Sequence, residues 1–130
     1  VAALSNYAEL AVLNAIAGRA NFTAPAAVYI ALGGGDFTDT GTAVAEISGN
    51  GYARQQVVFG TNAANGQISN TSEITFPVAT GNQGAVTHYK LMDAATGGNC
   101  LIVGELTAAK TITTNDQLRI QIGDLTLTAN

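Results

Sequence analysis

Charge is scarce in this sequence. Lys, Arg, Asp and Glu make up 11% of its 130 residues, against about 25% in an ordinary globular chain. Its five basic residues, Arg19, Arg54, Lys90, Lys110 and Arg119, are scattered, and the formal net charge is −4. Nucleic-acid binding needs clustered Lys and Arg to displace counterions from phosphates, so no nucleic-acid partner is expected. One cysteine, Cys100, excludes an intrachain disulfide. Set against Leu101-Ile102-Val103, it reads as a small buried apolar residue rather than a nucleophile. One histidine, His88, and one cysteine cannot fill a tetrahedral zinc site. Nothing in the spacing sets His88 beside a nucleophile and an orienting carboxylate, as a catalytic triad requires. Tryptophan is absent and aromatics are 6%, which leaves few rings for stacking sugars. No apolar run approaches the roughly 20 residues of a membrane helix, so no membrane partner is expected. The opening Val1-Ala2-Ala3-Leu4 lacks the basic and long apolar regions of a signal peptide. It reads as a chain made in the cytoplasm that has lost its initiator Met.

What remains is 47% hydrophobic residues under a surface of Thr, Asn, Gln, Ser and Gly, enough for one domain with a real core. Such a surface offers little charge repulsion to keep copies apart, and suits a protein covered by neighbours. The stretch Gly51 to Gly60 sets the theme: Tyr52, Arg54, Gln56 and Val58 alternate with Ala53, Gln55, Val57 and Phe59, a strand closed by glycine at each end. Before it, residues 6–17 predict the one helix. Asn6 is the expected N-cap with Glu9 three residues on, and Leu10, Leu13 and Ala17, with Tyr7 above them, form the expected buried stripe. Gly18 stands where a left-handed residue ends a helix, with Arg19 near its negative end.

After Ala24-Pro25, Val28, Ile30 and Leu32 alternate toward a core, and Gly33-Gly34-Gly35-Asp36 opens a surface loop running to Asn50. That loop lacks the Gly-Lys-Ser/Thr ending of a phosphate-binding loop, and Asp36 to Gly41 lacks the alternating ligands of an EF-hand. Further strands are expected with Ile74, Phe76 and Val78 inward. Pro77 marks an edge or an end there. Strands follow from Ala85 to Met92, where Val86, His88, Lys90 and Met92 share one side, and from Cys100 to Leu106. Leu118, Ile120 and Ile122 alternate with Gln117, Arg119 and Gln121, and the last run is Leu125 to Thr128. Seven or eight short strands at this spacing predict an all-β domain, a jelly-roll-like antiparallel β-sandwich or barrel with one N-terminal α-helix. The expected division is an N-terminal arm and helix over residues 1–18 and a β-barrel over 26–130. Glu46, Glu73 and Glu105 could in principle supply a glycosidase pair, but three scattered carboxylates define no site. No catalytic, cofactor-binding or metal-ligating residue is expected.

The ordered series Gly51-Tyr52-Ala53-Arg54-Gln55, Ile68-Ser69-Asn70-Thr71, Ile74-Thr75-Phe76-Pro77, Val86-Thr87-His88-Tyr89, Asp93 to Asn99, Gly104-Glu105-Leu106-Thr107 and Gly123 to Leu127 resembles a family of small virion structural proteins of tailed bacteriophages. Members of that family are labelled tail-fibre-like or structural, and compact β-barrels of this kind also serve as capsid cement. The resemblance spans nearly the whole chain and implies a virion component without catalytic residues. The leading expectation is a capsid decoration protein, a homo-oligomer bridging neighbouring major capsid subunits. A tail or tail-fibre-associated protein with tail proteins as partners is the alternative, and a carbohydrate-binding module with loops 33–42 and 93–99 at one end is a third. A long fibre in its own right would need repeats or heptads, which are absent. Val1, Ala2, Ala3, Leu4 and Tyr7 are the expected assembly interface, an apolar arm that can anchor on a neighbour or pack on its own barrel.

Overall fold

A computed structural model describes residues 3–60 and 63–129. Among them the chain forms β1 (Ala3–Leu4), α1 (Asn6–Ile16), β2 (Val28–Gly33), β3 (Gln55–Val57), β4 (Gln67–Ser69), β5 (Ile74–Thr75), β6 (Gly84–Met92), β7 (Cys100–Ile112), β8 (Arg119–Ile120) and β9 (Thr126–Thr128). β1, β7, β6, β2 and β3 make one antiparallel sheet in that order, while β4 pairs with β9 and β5 with β8 in two ribbons. The fold is thus all-β with one N-terminal helix, as composition and spacing predict.

The main core joins Ile30 and Leu32 of β2, Val57 of β3, Val86, Tyr89 and Leu91 of β6 and Ile112 of β7 to Ile74, Phe76, Ala79 and Leu125. It therefore links the large sheet to the ribbons. Val86 shares this face with Tyr89 and Leu91, although strict alternation assigns Val86 to the opposite side. A register shift between Val86 and His88 in the β6–β7 pairing supplies the reason, since one extra residue in a strand reverses the phase of everything beyond it.

β2 is covered on its other face as well. Phe37, fully buried, rests against Gly33, and Lys90 Nζ lies 4.7 Å from the Phe37 ring centroid. Lys90 is itself buried and donates to Gly41 O at 2.8 Å. The 34–44 segment is therefore a plug as well as a surface loop, a role that its Gly/Asp/Thr composition conceals. Two more expectations fail at strand ends. Val78 and Ile122 are exposed, because β5 ends at Thr75 and β8 at Ile120. The phase of the Gly51–Gly60 run also changes. Tyr52 and Arg54 are half-buried, but so is Gln55, and Val57 beyond it is buried while Val58 is exposed. Only Gln55–Val57 is strand, and Tyr52 and Arg54 before it belong to a polar network instead.

Asn70 ties the ribbons together. Its Oδ1 accepts from Gly123 N at 3.1 Å and Leu125 N at 3.0 Å, and its Nδ2 donates to Ser72 O at 2.9 Å and Gln121 O at 3.0 Å. The side chain is buried, and all four of its hydrogen-bonding positions are filled.

Candidate assembly surface

The cap of helix α1 lies one residue earlier than predicted. Its N-cap is Ser5, whose Oγ accepts from Ala8 N at 3.1 Å and donates to Cys100 O. Ser5 wins over Asn6 because the same residue is buried and also bonds β7 through its backbone, Ser5 N to Leu101 O at 2.9 Å. Asn6 N donates to Asp39 O at 2.9 Å, fixing the helix start to the 34–44 segment. The other end closes as expected. Gly18 takes φ +71°, its N–H bonds Ala15 O, and Arg19 N–H bonds Asn14 O, the paired bonds of a Schellman cap.

The face that this helix turns inward is the reverse of the predicted one. Ala8 is buried and Ala11, Val12 and Ala15 are half-buried, a stripe at i, i+3, i+4 and i+7. Small side chains let α1 lie close to β7, which it contacts. Leu10 and Leu13, expected in the core, are 65% and 62% exposed, with Ile16 at 79% and Tyr7 at 47%. At about 100° per residue, Leu10 and Leu13 point away from the alanine stripe. The large side chains are thus left on the outside.

Of the expected interface, Val1 and Ala2 lie outside the described residues. Ala3 and Leu4 form β1, the outer strand of the large sheet, paired with Val103 and Ile102, and both are exposed. Tyr7 is exposed in the first helical turn. Leu4, Tyr7, Leu10, Leu13 and Ile16 stand in one short stretch of chain, while the other exposed large hydrophobics among the described residues, Phe22, Val58, Val78 and Ile122, are dispersed. The sequence carries part of this signal, since α1 has large apolar residues outside its small-residue stripe, where they share the outer side with Asn6, Glu9 and Asn14. Beside β1, Ala3, Leu4, Ile68, Ile102 and Leu127 border an apolar groove of about 420 Å³.

The polar features elsewhere hold the fold. Glu46 accepts from Tyr52 Oη at 2.6 Å and from Arg54 Nη2 at 2.8 Å and Nε at 3.0 Å. Arg54 Nη1 also donates to Ala94 O at 2.9 Å and Gly97 O at 2.8 Å, so one guanidinium joins two loops. Burial pushes the Glu46 carboxyl upward, but the hydrogen bonds from Arg54 and Tyr52 outweigh it and leave the group below its ordinary value. Burial, reinforced by the bond to Glu46, raises the Tyr52 phenol far above its usual range. The Arg54 guanidinium is raised by its bond to Glu46, with burial opposing.

His88, Asp36, Asp39 and Glu105 border an open cleft of about 290 Å³. His88 Nδ1 shares a hydrogen bond with Thr87 Oγ1 at 2.7 Å and stands opposite Glu105 in the ladder. Among the described residues no cluster of three His, Cys, Asp or Glu side chains could hold a metal ion. Cys100 is half-buried, and burial raises its thiol despite the opposing charges of Lys90 and Arg54. That keeps the nucleophilic thiolate scarce.

Compared with known proteins, residues 3–128 match a family model described as "Podophage GP4 fiber I protein gp80". The match runs from β1 through β9 and includes α1. No curated protein matches the chain.

Proposed function

The chain belongs to the podophage GP4 fiber I protein gp80 family and is a structural protein of a tailed-phage virion; from that premise we propose that it is a non-enzymatic building block of the fibre apparatus. The family description carries this reading, because it names a fibre protein and its match spans nearly the whole folded domain. Several physical features support it. Polar side chains such as those of Asn70, Glu46 and Arg54 are spent on joining loops and ribbons to one another. The low charge of the chain permits extended contact with neighbours without burying unpaired ions. Binding energy realised only in the assembled particle then adds to the stability of each domain.

Copy number per particle tests the proposal. Quantitative mass spectrometry of purified virions against the major capsid protein is expected to show a small fraction of the capsid count, at a level matching the tail and fibre proteins. A ratio near one to one, or a simple lattice fraction of it, would overturn the fibre reading in favour of shell decoration, the reading that low charge and an apolar arm equally serve.

A further inference from the structure

We infer that Asn65 is a site of spontaneous covalent modification, converting to aspartate and isoaspartate, while the fold protects Asn50 in the same dipeptide. The sequence contains two Asn-Gly pairs, Asn50-Gly51 and Asn65-Gly66. Asn-Gly is open to this reaction because glycine has no Cβ to crowd its own amide nitrogen. The Gly66 nitrogen gives its proton to hydroxide and attacks Cγ of Asn65, and the side-chain amide leaves as ammonia. A five-membered cyclic imide results. Water then opens it at either carbonyl. Opening at the side-chain carbonyl gives aspartate, and opening at the backbone carbonyl gives isoaspartate. Water is the one reagent consumed.

Backbone conformation and exposure do not separate the two asparagines. Asn50 takes φ +54° and Asn65 φ +55°, and both are exposed. Hydrogen bonding separates them. Attack requires the Asn-Gly peptide to swing while the side chain turns onto its nitrogen. At Asn50 that peptide is held, since its carbonyl oxygen accepts from Thr80 N at 3.0 Å and from Gln83 Nε2 at 2.9 Å. The Asn50 side-chain nitrogen donates to Asn82 O at 2.8 Å, and Gly81 lies against the same amide. Three bonds to one segment thus keep both reacting parts in place. Asn65 stands instead at the tip of a two-residue hairpin. Its closing bonds, Ala64 N to Gln67 O at 2.9 Å and Gln67 N to Ala64 O at 3.0 Å, belong to the flanking residues, and Ala129 N bonds Gly66 O at 2.8 Å. None of these engages the Asn65 carbonyl, the Asn65 side chain or the Gly66 nitrogen, and no other described residue bonds them. The change matters to its surroundings. Gly66 borders the apolar groove beside β1, so conversion sets a new carboxylate near that rim. Isoaspartate also adds a carbon to the backbone of a tight turn whose Asn-Gly conformation matches the strand twist, and so loosens the β4–β9 ribbon.

Ageing the purified chain in mildly alkaline buffer, folded and in urea, provides the test. Tryptic cleavage at Arg54 puts Asn50 and Asn65 on separate peptides, and tandem mass spectrometry locates each conversion. In urea the two sites are expected to convert at like rates. In the folded chain Asn65 is expected to convert about tenfold or more faster than Asn50, the effect of the bonds that must break there. Gln83→Ala removes one of those bonds and should speed conversion at Asn50 about fivefold, with Asn65 unchanged. An Asn65 that stays intact in the folded chain while converting in urea, or folded-state rates that are equal at the two sites, would overturn the proposal. So would a Gln83→Ala variant whose Asn50 is no faster.

Discussion

Replacing Glu46 by alanine removes the acceptor at the centre of the loop network, and its cost follows from what is left behind. The Arg54 side chain is 9% exposed and that of Glu46 20%, so the guanidinium loses its counter-ion where little water reaches it. Its bonds to Ala94 O and Gly97 O persist, but Nε and Nη2 lose their acceptor, as does the Tyr52 hydroxyl proton. Breaking one side of a buried pair costs about 3–5 kcal/mol. The open cleft of about 490 Å³ beside Glu46 and Arg54 lets water replace part of the loss, which favours the lower figure. About 3 kcal/mol corresponds to a fall in Tm of about 10 °C for a chain of this length. Urea unfolding should show the same loss with an unchanged m-value. Glu46→Gln keeps an acceptor for Tyr52 and loses the charge, for a cost of about 1–2 kcal/mol. Combining Glu46→Ala with Arg54→Met should recover part of the penalty, because no charge is then stranded. Depression of the Glu46 pKa below 4.5 gives a sign as well. The stabilisation is complete above the unfolded value near 4.5 and is lost as pH falls through the folded one. Glu46→Gln should therefore flatten the loss of stability below pH 4.5. A single-mutant cost under about 1 kcal/mol, or strict additivity in the double mutant, would refute the assignment of this network as a buried staple.

Asn70→Ala removes four hydrogen bonds from a buried side chain and leaves Gly123 N–H, Leu125 N–H and two carbonyls without it; a loss of about 3 kcal/mol or more is expected in thermal unfolding, and a loss below about 1 kcal/mol would contradict the role given to Asn70. Gly104 lies across the ladder from Tyr89, and a Cβ on it would stand 2.5 Å from the Tyr89 ring. Gly104→Ala should cost about 1–3 kcal/mol through overpacking, read as a lowered urea midpoint, and should be rescued by Tyr89→Leu. Cys100 should react with an aromatic disulfide about tenfold or more slowly in the native protein than in denaturant, because burial raises its thiol; equal rates in both states would refute that environment.

Local rules served the sequence reading where a feature depends on neighbours in the chain. Gly18 ends the helix, and Pro77 stands two residues beyond the end of β5. Long-range packing set the rest. Leu10 with Leu13 and Ala8 with Ala11, Val12 and Ala15 are both valid helical stripes, and the close approach to β7 admits only the smaller set. Alternation across Ala85 to Met92 is real on both sides of the β6 irregularity, but no local signal marks the residue at which its phase turns over. Asn70 reads as an ordinary turn residue, since its four partners come from Ser72 and from Gln121 to Leu125, which the chain brings near only on folding. Arg54 and Glu46 are eight positions apart, one read in the strand from Gly51 to Gly60 and the other in the surface loop before it; their pairing depends on the departure of Tyr52 and Arg54 from the strand. The assembly surface was half legible. Leu4 and Tyr7 belong to the expected interface, whereas Leu10 and Leu13 belong to the expected buried stripe and Ile16 to neither.

The place of the protein on the particle tests the central claim most directly. Gold-labelled antibodies raised against the purified chain should decorate the fibres or the tail of intact virions and leave the capsid shell bare. Label spread uniformly over the shell, with none at the tail, would contradict the account.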